Sequence, residues 1–352
     1  MVVAWLLLNR MENSAQYECA VHWRKESMKI RQILRGIILF AVGLVLFVPP
    51  RSLAASYPDR NIQLIIPYVA GATGDITARL LANELEKTLG VKIIPENKPG
   101  ASTVLGVEFV TRAKKNGYTL LYAGNTATVY VPSTDPGIIH FDPVKDLEPL
   151  GYHYVFPQGI AVKADAPWNT FTQFIDYAKK NPGKLRVSTI GVGSSPHFAL
   201  EMIQGITGTK MTHVPFEGGE STVTAVMGGH VEAACDGFAK FKPHMEAKRL
   251  KVLLLTNKMP GYPEIPTTTE LGYKQKLFPS CFAVYAPGGI SDEVKKILVP
   301  AVEKAVRATY PQILAMGSLP EYHSPAEMRQ MRDEEYKVIS ELAVKLGLRH
   351  TK

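Results

Sequence analysis

The chain has 352 residues, of which 46% are hydrophobic, and carries 40 Lys/Arg against 32 Asp/Glu. That length and apolar fraction suffice for two domains with cores of their own and exclude a disordered chain. The first 55 residues hold seven Lys/Arg and three Asp/Glu, so the formal +8 falls to +4 without them, and the remaining lysines form short scattered pairs such as Lys114-Lys115 and Lys179-Lys180; no basic block interleaved with aromatics points to nucleic acid.

At the N-terminus, Met28-Lys29-Ile30-Arg31 and Arg35 form a basic segment, and Gly36 to Val48 is an uncharged apolar run too short to span a bilayer comfortably. Ser52-Leu53-Ala54-Ala55 follows with small residues, which predicts cleavage after Ala54 or Ala55 and export to the periplasm. Residues 1 to 27 add nothing to this leader, so translation is expected to begin at Met28. No cysteine lies near the cleavage point to carry a lipid anchor.

An apolar strand, Ile62 to Ile66, then breaks at Pro67 and passes through Tyr68-Val69-Ala70-Gly71-Ala72-Thr73-Gly74-Asp75 into a helix from about Gly74 to Leu89. Spacing places Ile76, Leu80, Leu85 and Leu89 on one face of that helix, with Gly90 as its C′ residue. A glycine-containing turn between strand and helix points backbone N–H groups and the positive end of the helix dipole at one place, which suits a carboxylate or phosphate. Tyr68, Ala70, Gly71, Ala72 and Thr73 are therefore candidate ligand contacts. Thr73 or Asp75 as a simple cap is the competing reading, and Asp75 is assigned to structure because its charge would repel an acid.

Val91 to Pro95 reads as a strand, Glu96 to Ala101 as a loop, and a second helix is expected to end near Asn116-Gly117. The strand Tyr118 to Ala123 opens on Gly124-Asn125-Thr126, whose Asn125 and Thr126 are further cleft candidates. In the second half, Thr170 and Gln173 have the spacing of a capping box for a helix that stops at Asn181-Pro182-Gly183. A strand, Leu185 to Ile190, leads through Gly191-Val192-Gly193-Ser194-Ser195 into a helix with Pro196 at its first position. This is a second cradle of the same type, with Ser194 as the better ligand contact and Ser195 as both contact and expected N-cap. Next come a strand near His213 to Phe216, Glu217-Gly218-Gly219 leading into a helix that closes at Gly228-Gly229, and Val231 to Cys235 ending on Asp236-Gly237. Glu217 and Asp236 suit a ligand amine or hydroxyl, or equally a bond to neighbouring N–H groups; contact is favoured slightly for Asp236. Beyond Leu250 to Thr256 the chain is rich in Pro and Gly until Ser291. It closes with two amphipathic helices, the last begun by the capping box Ser324-Pro325-Ala326-Glu327.

Ser194, Ser195 and His197 also raise a hydrolase reading, but the following glycine of a G-x-S-x-G elbow is missing and His197 starts the same helix. G-x-G alone is too little for a dinucleotide, and the nine histidines form no metal-binding spacing backed by carboxylates. No cofactor and no metal are expected. Cys235 and Cys281 either form a disulfide, since both fall near the domain boundary in a compartment that permits one, or stand as two buried, unpaired thiols.

Several segments in order resemble the Bug family, the extracytoplasmic solute-binding proteins of tripartite tricarboxylate transporters. These are Tyr57-Pro58 with Ile62 to Pro67 and Gly71…Asp75; Glu96-Asn97-Lys98-Pro99-Gly100-Ala101; Asn116-Gly117-Tyr118-Thr119-Leu120; Phe141-Asp142-Pro143-Val144-Lys145-Asp146-Leu147; Val214-Pro215-Phe216…Gly218; Gly229-His230-Val231…Asp236; and Pro266-Thr267…Glu270-Leu271-Gly272. The chain departs from the family at Gly71-Ala72, where two glycines are usual, at Ser102-Thr103-Val104, where glycines and Asn are preferred, and at Lys115-Asn116, where Pro-Asp is usual. The resemblance implies an α/β clamp of two domains, like type II periplasmic binding proteins, with a hinge and a central cleft. Domain 1 is expected to comprise residues 56 to 158 and 286 to 352, and domain 2 residues 159 to 285. It further implies a non-enzymatic, monomeric protein that captures a small carboxylate-bearing acid for membrane transporter subunits. A periplasmic sensor of the same ligand is the alternative, and an exported Ser hydrolase a weaker one.

Overall fold

The computed structural model describes Trp23, residues 57–216 and residues 219–350. The leader, its cleavage point, Glu217 and Gly218 lie outside the described residues. From Tyr57 onward the chain is one compact unit. It runs β1 (Ile62–Ile66), α1 (Thr73–Leu89), β2 (Ile93–Asn97), α2 (Val104–Thr111), β3 (Thr119–Gly124), a π-helical turn Thr126–Tyr130 continued by a short helix Val131–Thr134, and β4 (Leu147–Phe156). There follow β5 (Gln158–Lys163), α3 (Phe171–Lys180), β6 (Arg186–Thr189), α4 (Ser195–Thr207), β7 (Thr212–Pro215), α5 (Gly219–Met227), β8 (Ala233–Gly237), α6 (Phe238–Glu246) and β9 (Leu250–Leu255). The last part holds β10 (Ser280–Pro287), α7 (Asp292–Ala308), α8 (Tyr310–Ala315), β11 (Leu319–Pro320) and α9 (Pro325–Lys345).

Ile62, Leu64, Ile65 and Ile66 are all fully buried, so β1 is apolar on both faces, as an inner parallel strand covered on both sides must be. It pairs in parallel with β2 and β3, while β10 runs antiparallel to both of its neighbours, β3 and β4, giving a six-stranded sheet of order β11-β4-β10-β3-β1-β2. The second sheet has five strands in the order β7-β6-β8-β5-β9. Its β6 is parallel to β7 and β8, and β5 is antiparallel to β8 and β9.

The chain passes between the sheets at Pro157, from β4 into β5, and again from β9 to β10 through residues 256–279. The two crossovers are tied together. The Gln158 N–H donates to Thr256 Oγ1 at 3.0 Å, and the Thr256 N–H donates back to Gln158 O at 2.7 Å. Pairing registers then fix what faces what. Ser280 at the start of β10 lies opposite Phe156, and Phe282 opposite Gly124, so the carboxyl ends of β3 and β4 meet at the crossovers. Because β1 and β2 are parallel to β3, the loops that follow all three leave the same edge. In the second sheet Gln158 lies opposite Gly237 and Gly159 opposite Leu255, which puts the carboxyl ends of β8, β9 and their parallel neighbours β6 and β7 at the crossovers as well. The two loop-bearing edges therefore confront each other, with the crossovers as floor.

Several expectations are corrected. The strands β4, β5 and β10, which build the floor, did not stand out from the sequence, and α2 stops at Thr111, short of Asn116-Gly117. The buried face of α1 is Gly74, Thr77, Ala78, Leu81, Ala82 and Leu85, whereas Ile76 is 49% exposed. Small residues let this helix lie close to the sheet: a Cβ on Gly74 would sit 2.6 Å from the Tyr68 ring and 2.9 Å from that of Phe282. Cys235 and Cys281 are both buried and free, one packed in a core of the second sheet and the other in a core of the first. The last helix does not stay with the first sheet. Met328 packs in a core of the first sheet, but Ile339 and Ala343 pack in the core of the second beside Trp168 and Phe198.

Candidate functional site

The first loop is shaped by Asp75. Its Oδ2 accepts from the Gly71 N–H at 2.9 Å, and its Oδ1 from Arg79 Nε at 2.9 Å and Asn97 Nδ2 at 2.8 Å. Burial raises this carboxyl, but the three donors outweigh burial and hold it below the usual aspartate range. The ring thus closed turns the chain back through Gly71 at φ +81°, the left-handed region open to glycine. Tyr68 is the strut beneath: its hydroxyl accepts from the Gly124 N–H at 2.9 Å, and its ring lies 5.6 Å from that of Phe282.

The amide groups divide accordingly. Gly71 donates to Asp75 and Ala72 to the Val69 carbonyl at 3.2 Å, so neither is free to hold an anion. Ala72 is the N-cap residue, in extended backbone without a side-chain cap. The N–H groups of Thr73 and Gly74 at the start of α1 have no acceptor among the described residues. Ala72 takes φ −67°, so the departure from a second glycine leaves the turn unstrained.

The second loop is built by Ser194 and His197. Ser194, not Ser195, is the N-cap of α4: its Oγ accepts from the His197 N–H at 3.4 Å and donates to Gly191 O at 2.7 Å. Pro196 puts the fixed φ of proline one place further in than expected. Ser195 is buried, with Oγ accepting from Gln158 Nε2 at 2.6 Å and donating to Tyr130 Oη at 3.3 Å. Its backbone N–H has no acceptor among the described residues. His197 Nδ1 accepts from the Gly193 N–H at 3.1 Å, and its ring stacks on His213 at 4.0 Å between centroids. Burial and the neighbouring imidazole push His197 down to about 4, so near neutral pH it is an uncharged acceptor that holds the loop. Among the described residues no imidazole bonds the Oγ of Ser194 or Ser195, which is the pairing a Ser–His hydrolase requires.

The other candidates separate into buried and accessible. Asn125 is buried, donating to Pro279 O and Glu335 Oε1 and accepting from the Cys281 N–H. Asp236 is 1% exposed and fully occupied by Thr222 Oγ1, the Gly237 N–H and Lys240 Nζ, the last at 2.9 Å. Both hold the floor and walls in shape and face no open space. Ala70, Gly71, Thr73 and Thr126 are exposed at the edge of the first sheet. What the sequence concealed is Gln158, at the crossover, whose Nε2 bonds both Ser195 and Ser280 Oγ, at 2.6 and 2.7 Å. No motif marks it; only the pairing of β5 reveals its place.

Known proteins share this arrangement. The model of the tripartite tricarboxylate transporter family receptor matches residues 77–348. A Cupriavidus necator protein of the gbd 5′ region is 34% identical over 317 residues, covering 88% of this chain and 94% of the relative. The BugT protein of Bordetella pertussis is 27% identical over 88% of this chain and 97% of its own length. A solved TctC solute-binding protein from Polaromonas superposes with a TM-score of 0.75 at 27% identity, covering 82% of this chain and 99% of that one. Two facing loop-bearing edges over a double crossover, matched in sequence and in fold over most of the chain, place this protein in the tripartite tricarboxylate transporter receptor family, the Bug solute-binding proteins with the two-domain periplasmic-binding-protein fold.

Proposed function

We propose that the protein captures a small carboxylate-bearing organic acid in the periplasm and presents it to the membrane subunits of a tripartite tricarboxylate-type transporter, acting as a monomer and without chemistry of its own. The observation that carries this is the pair of helix starts at the confronting edges, where the N–H groups of Thr73, Gly74 and Ser195 have no acceptor among the described residues. Such groups, at the positive ends of α1 and α4, favour an anion between them. We take residues 56–158 with most of 286–352 as one domain and 159–285 as the other, moving about the crossovers. Ligand contacts made by both loops only when the edges approach would stabilise the closed form. Export with cleavage after Ala54 or Ala55 belongs to the same reading.

Thermal-shift screening of organic acids, followed by calorimetry on the best binder, tests it. The Gly71→Val protein is the second arm. A Cβ at Gly71 meets nothing within 4 Å, so the fold should survive. Valine at φ +81° must nevertheless bend the loop and displace the helix start, and affinity should fall about ten-fold or more. Unchanged affinity would remove the first loop from the site.

A further inference from the structure

We propose that the edge of the second sheet opposite the cleft docks the protein on a membrane surface of anionic phospholipid headgroups. The lysines that look scattered in the sequence are brought together there by the fold. Five segments meet at this edge: residues 163–170 after β5, and 179–186, 208–212, 228–232 and 247–251, which lead into β6, β7, β8 and β9. Together they hold nine Lys/Arg and two Asp/Glu, whereas the rest of the chain from residue 56 onward holds 24 and 27. The strand order β7-β6-β8-β5-β9 lays them side by side over about 19 Å, at about 4.8 Å per strand. Backbone bonds join neighbouring segments: the Gly183 N–H donates to Lys210 O at 2.7 Å, and the Ala164 N–H to Arg249 O at 3.0 Å.

Most of this charge is not neutralised within the protein. The two acids are taken by Lys163, 3.1 Å from Asp165, and by Arg186, 2.7 Å from Glu232. Lys179, Lys180, Lys184, Lys210, Lys248 and Arg249 are exposed and form no ion pair among the described residues. The far edge of the first sheet differs, with Lys92, Lys145 and Lys295 paired to Glu86, Asp142 and Asp292. The kind of partner follows from what the basic edge lacks. Its large apolar side chains, Trp168, Leu185, Met211, Val231 and Leu250, are all buried, whereas a protein interface needs exposed aromatic or aliphatic anchors at its centre. Unpaired cations on flexible stems, without such anchors, suit a fluid layer of phosphates that attracts them within a Debye length of its surface. Docking by this edge leaves the cleft, at the other ends of the same strands, open.

Flotation of the exported protein with phosphatidylcholine vesicles, with and without phosphatidylglycerol, tests this. Binding at low salt should be about ten-fold or more tighter with phosphatidylglycerol and should weaken steeply as salt is raised. Lys184→Glu with Lys210→Glu, and Lys248→Glu with Arg249→Glu, should each weaken it about ten-fold or more. Lys114→Glu with Lys115→Glu, on the loop before β3 at the far edge of the first sheet, changes the net charge equally and should leave binding within about two-fold of wild type. Urea midpoints matching wild type show that the variants are folded; where a reversal lowers the midpoint, Gln at the same positions removes the charge more gently and should still weaken binding about three-fold. Wild-type protein with no preference for phosphatidylglycerol overturns the proposal and leaves an acidic protein as the partner for this edge. Equal losses in the Lys114/Lys115 control also overturn it, because net charge alone would then account for binding.

Discussion

Asp75 and Glu335 show how two carboxyls in one protein are driven in opposite directions. Asp75 gathers an amide N–H, a carboxamide and a guanidinium, and stays ionised although buried. Glu335, 8% exposed, receives Asn125 Nδ2 on Oε1 and the Tyr130 hydroxyl, and burial outweighs both and pushes it up to about 7. The signs follow by linkage. For Glu335 the folded protein keeps a proton that the unfolded chain releases between about pH 4.5 and 7, so its contribution to stability is greatest below that window and declines as pH rises through it. Asp75 contributes above the ordinary aspartate value and is lost only in stronger acid. Replacing Glu335 with Gln keeps the amide-sized group and removes the charge, so Tm should rise more at pH 8 than at pH 5. An equal change at both pH values would show that the carboxyl does not titrate in this window.

The helices and loops explain what could be read from the sequence and what could not. The capping box Ser324…Glu327 and the N-cap at Thr170 were legible because the bonds involved are local: Ser324 Oγ meets the Glu327 N–H, and Thr170 Oγ1 the Gln173 N–H. Both cradles were legible as strand-to-helix turns for the same reason. Ser194 and Ser195 exchanged roles because the cap is decided by which serine has extended backbone, at ψ 157° for Ser194, and not by where proline falls. Asn125 and Asp236 looked like ligand contacts because polar residues ending a strand resemble site residues. The Glu335 partner of Asn125 comes from a distant helix that the local pattern cannot join to it, and Asp236 is held by Thr222 from α5 as well as by Lys240 four residues on. Strands β4, β5 and β10 hid for a related reason, since their long-range pairing is what defines the floor.

This exchange of roles has a measurable consequence. Ser194→Ala removes a cap and the hydroxyl bond to Gly191 O, so it should cost about 1 kcal/mol of stability and weaken acid binding several-fold by loosening the second loop. Ser324→Ala removes an equivalent cap on α9, away from both loops, and should cost a similar amount with affinity unchanged. Denaturant midpoints and calorimetry on the two variants separate the effects. Equal affinities would mean that the second loop takes no part in binding.

At the scale of the molecule, the two sheets are joined by more than their crossovers. The segment after β3 places Ala127 and Val131 in a core of the first sheet and Val129 and Tyr130 in the core of the second, and α9 divides in the same way between Met328 and Ile339. For the sheets to open and close as proposed, these shared elements would have to move with one sheet and slide on the other, as packed helices do in shear motions. The coupling should be visible in unfolding. From residue 56 on, Trp168 is the only tryptophan, and it lies 8% exposed in the core that Ile339 and Ala343 complete. Its fluorescence therefore reports the second sheet, whereas far-ultraviolet circular dichroism reports both. In the intact protein the two transitions should coincide in urea, as a single cooperative unit requires. Ile339→Ala deletes a fully buried side chain at the seam and should cost about 2–5 kcal/mol, drawing the fluorescence transition to lower urea than the dichroism one. Coincident transitions in that variant, at an unchanged midpoint, would mean that α9 does not hold the second core together.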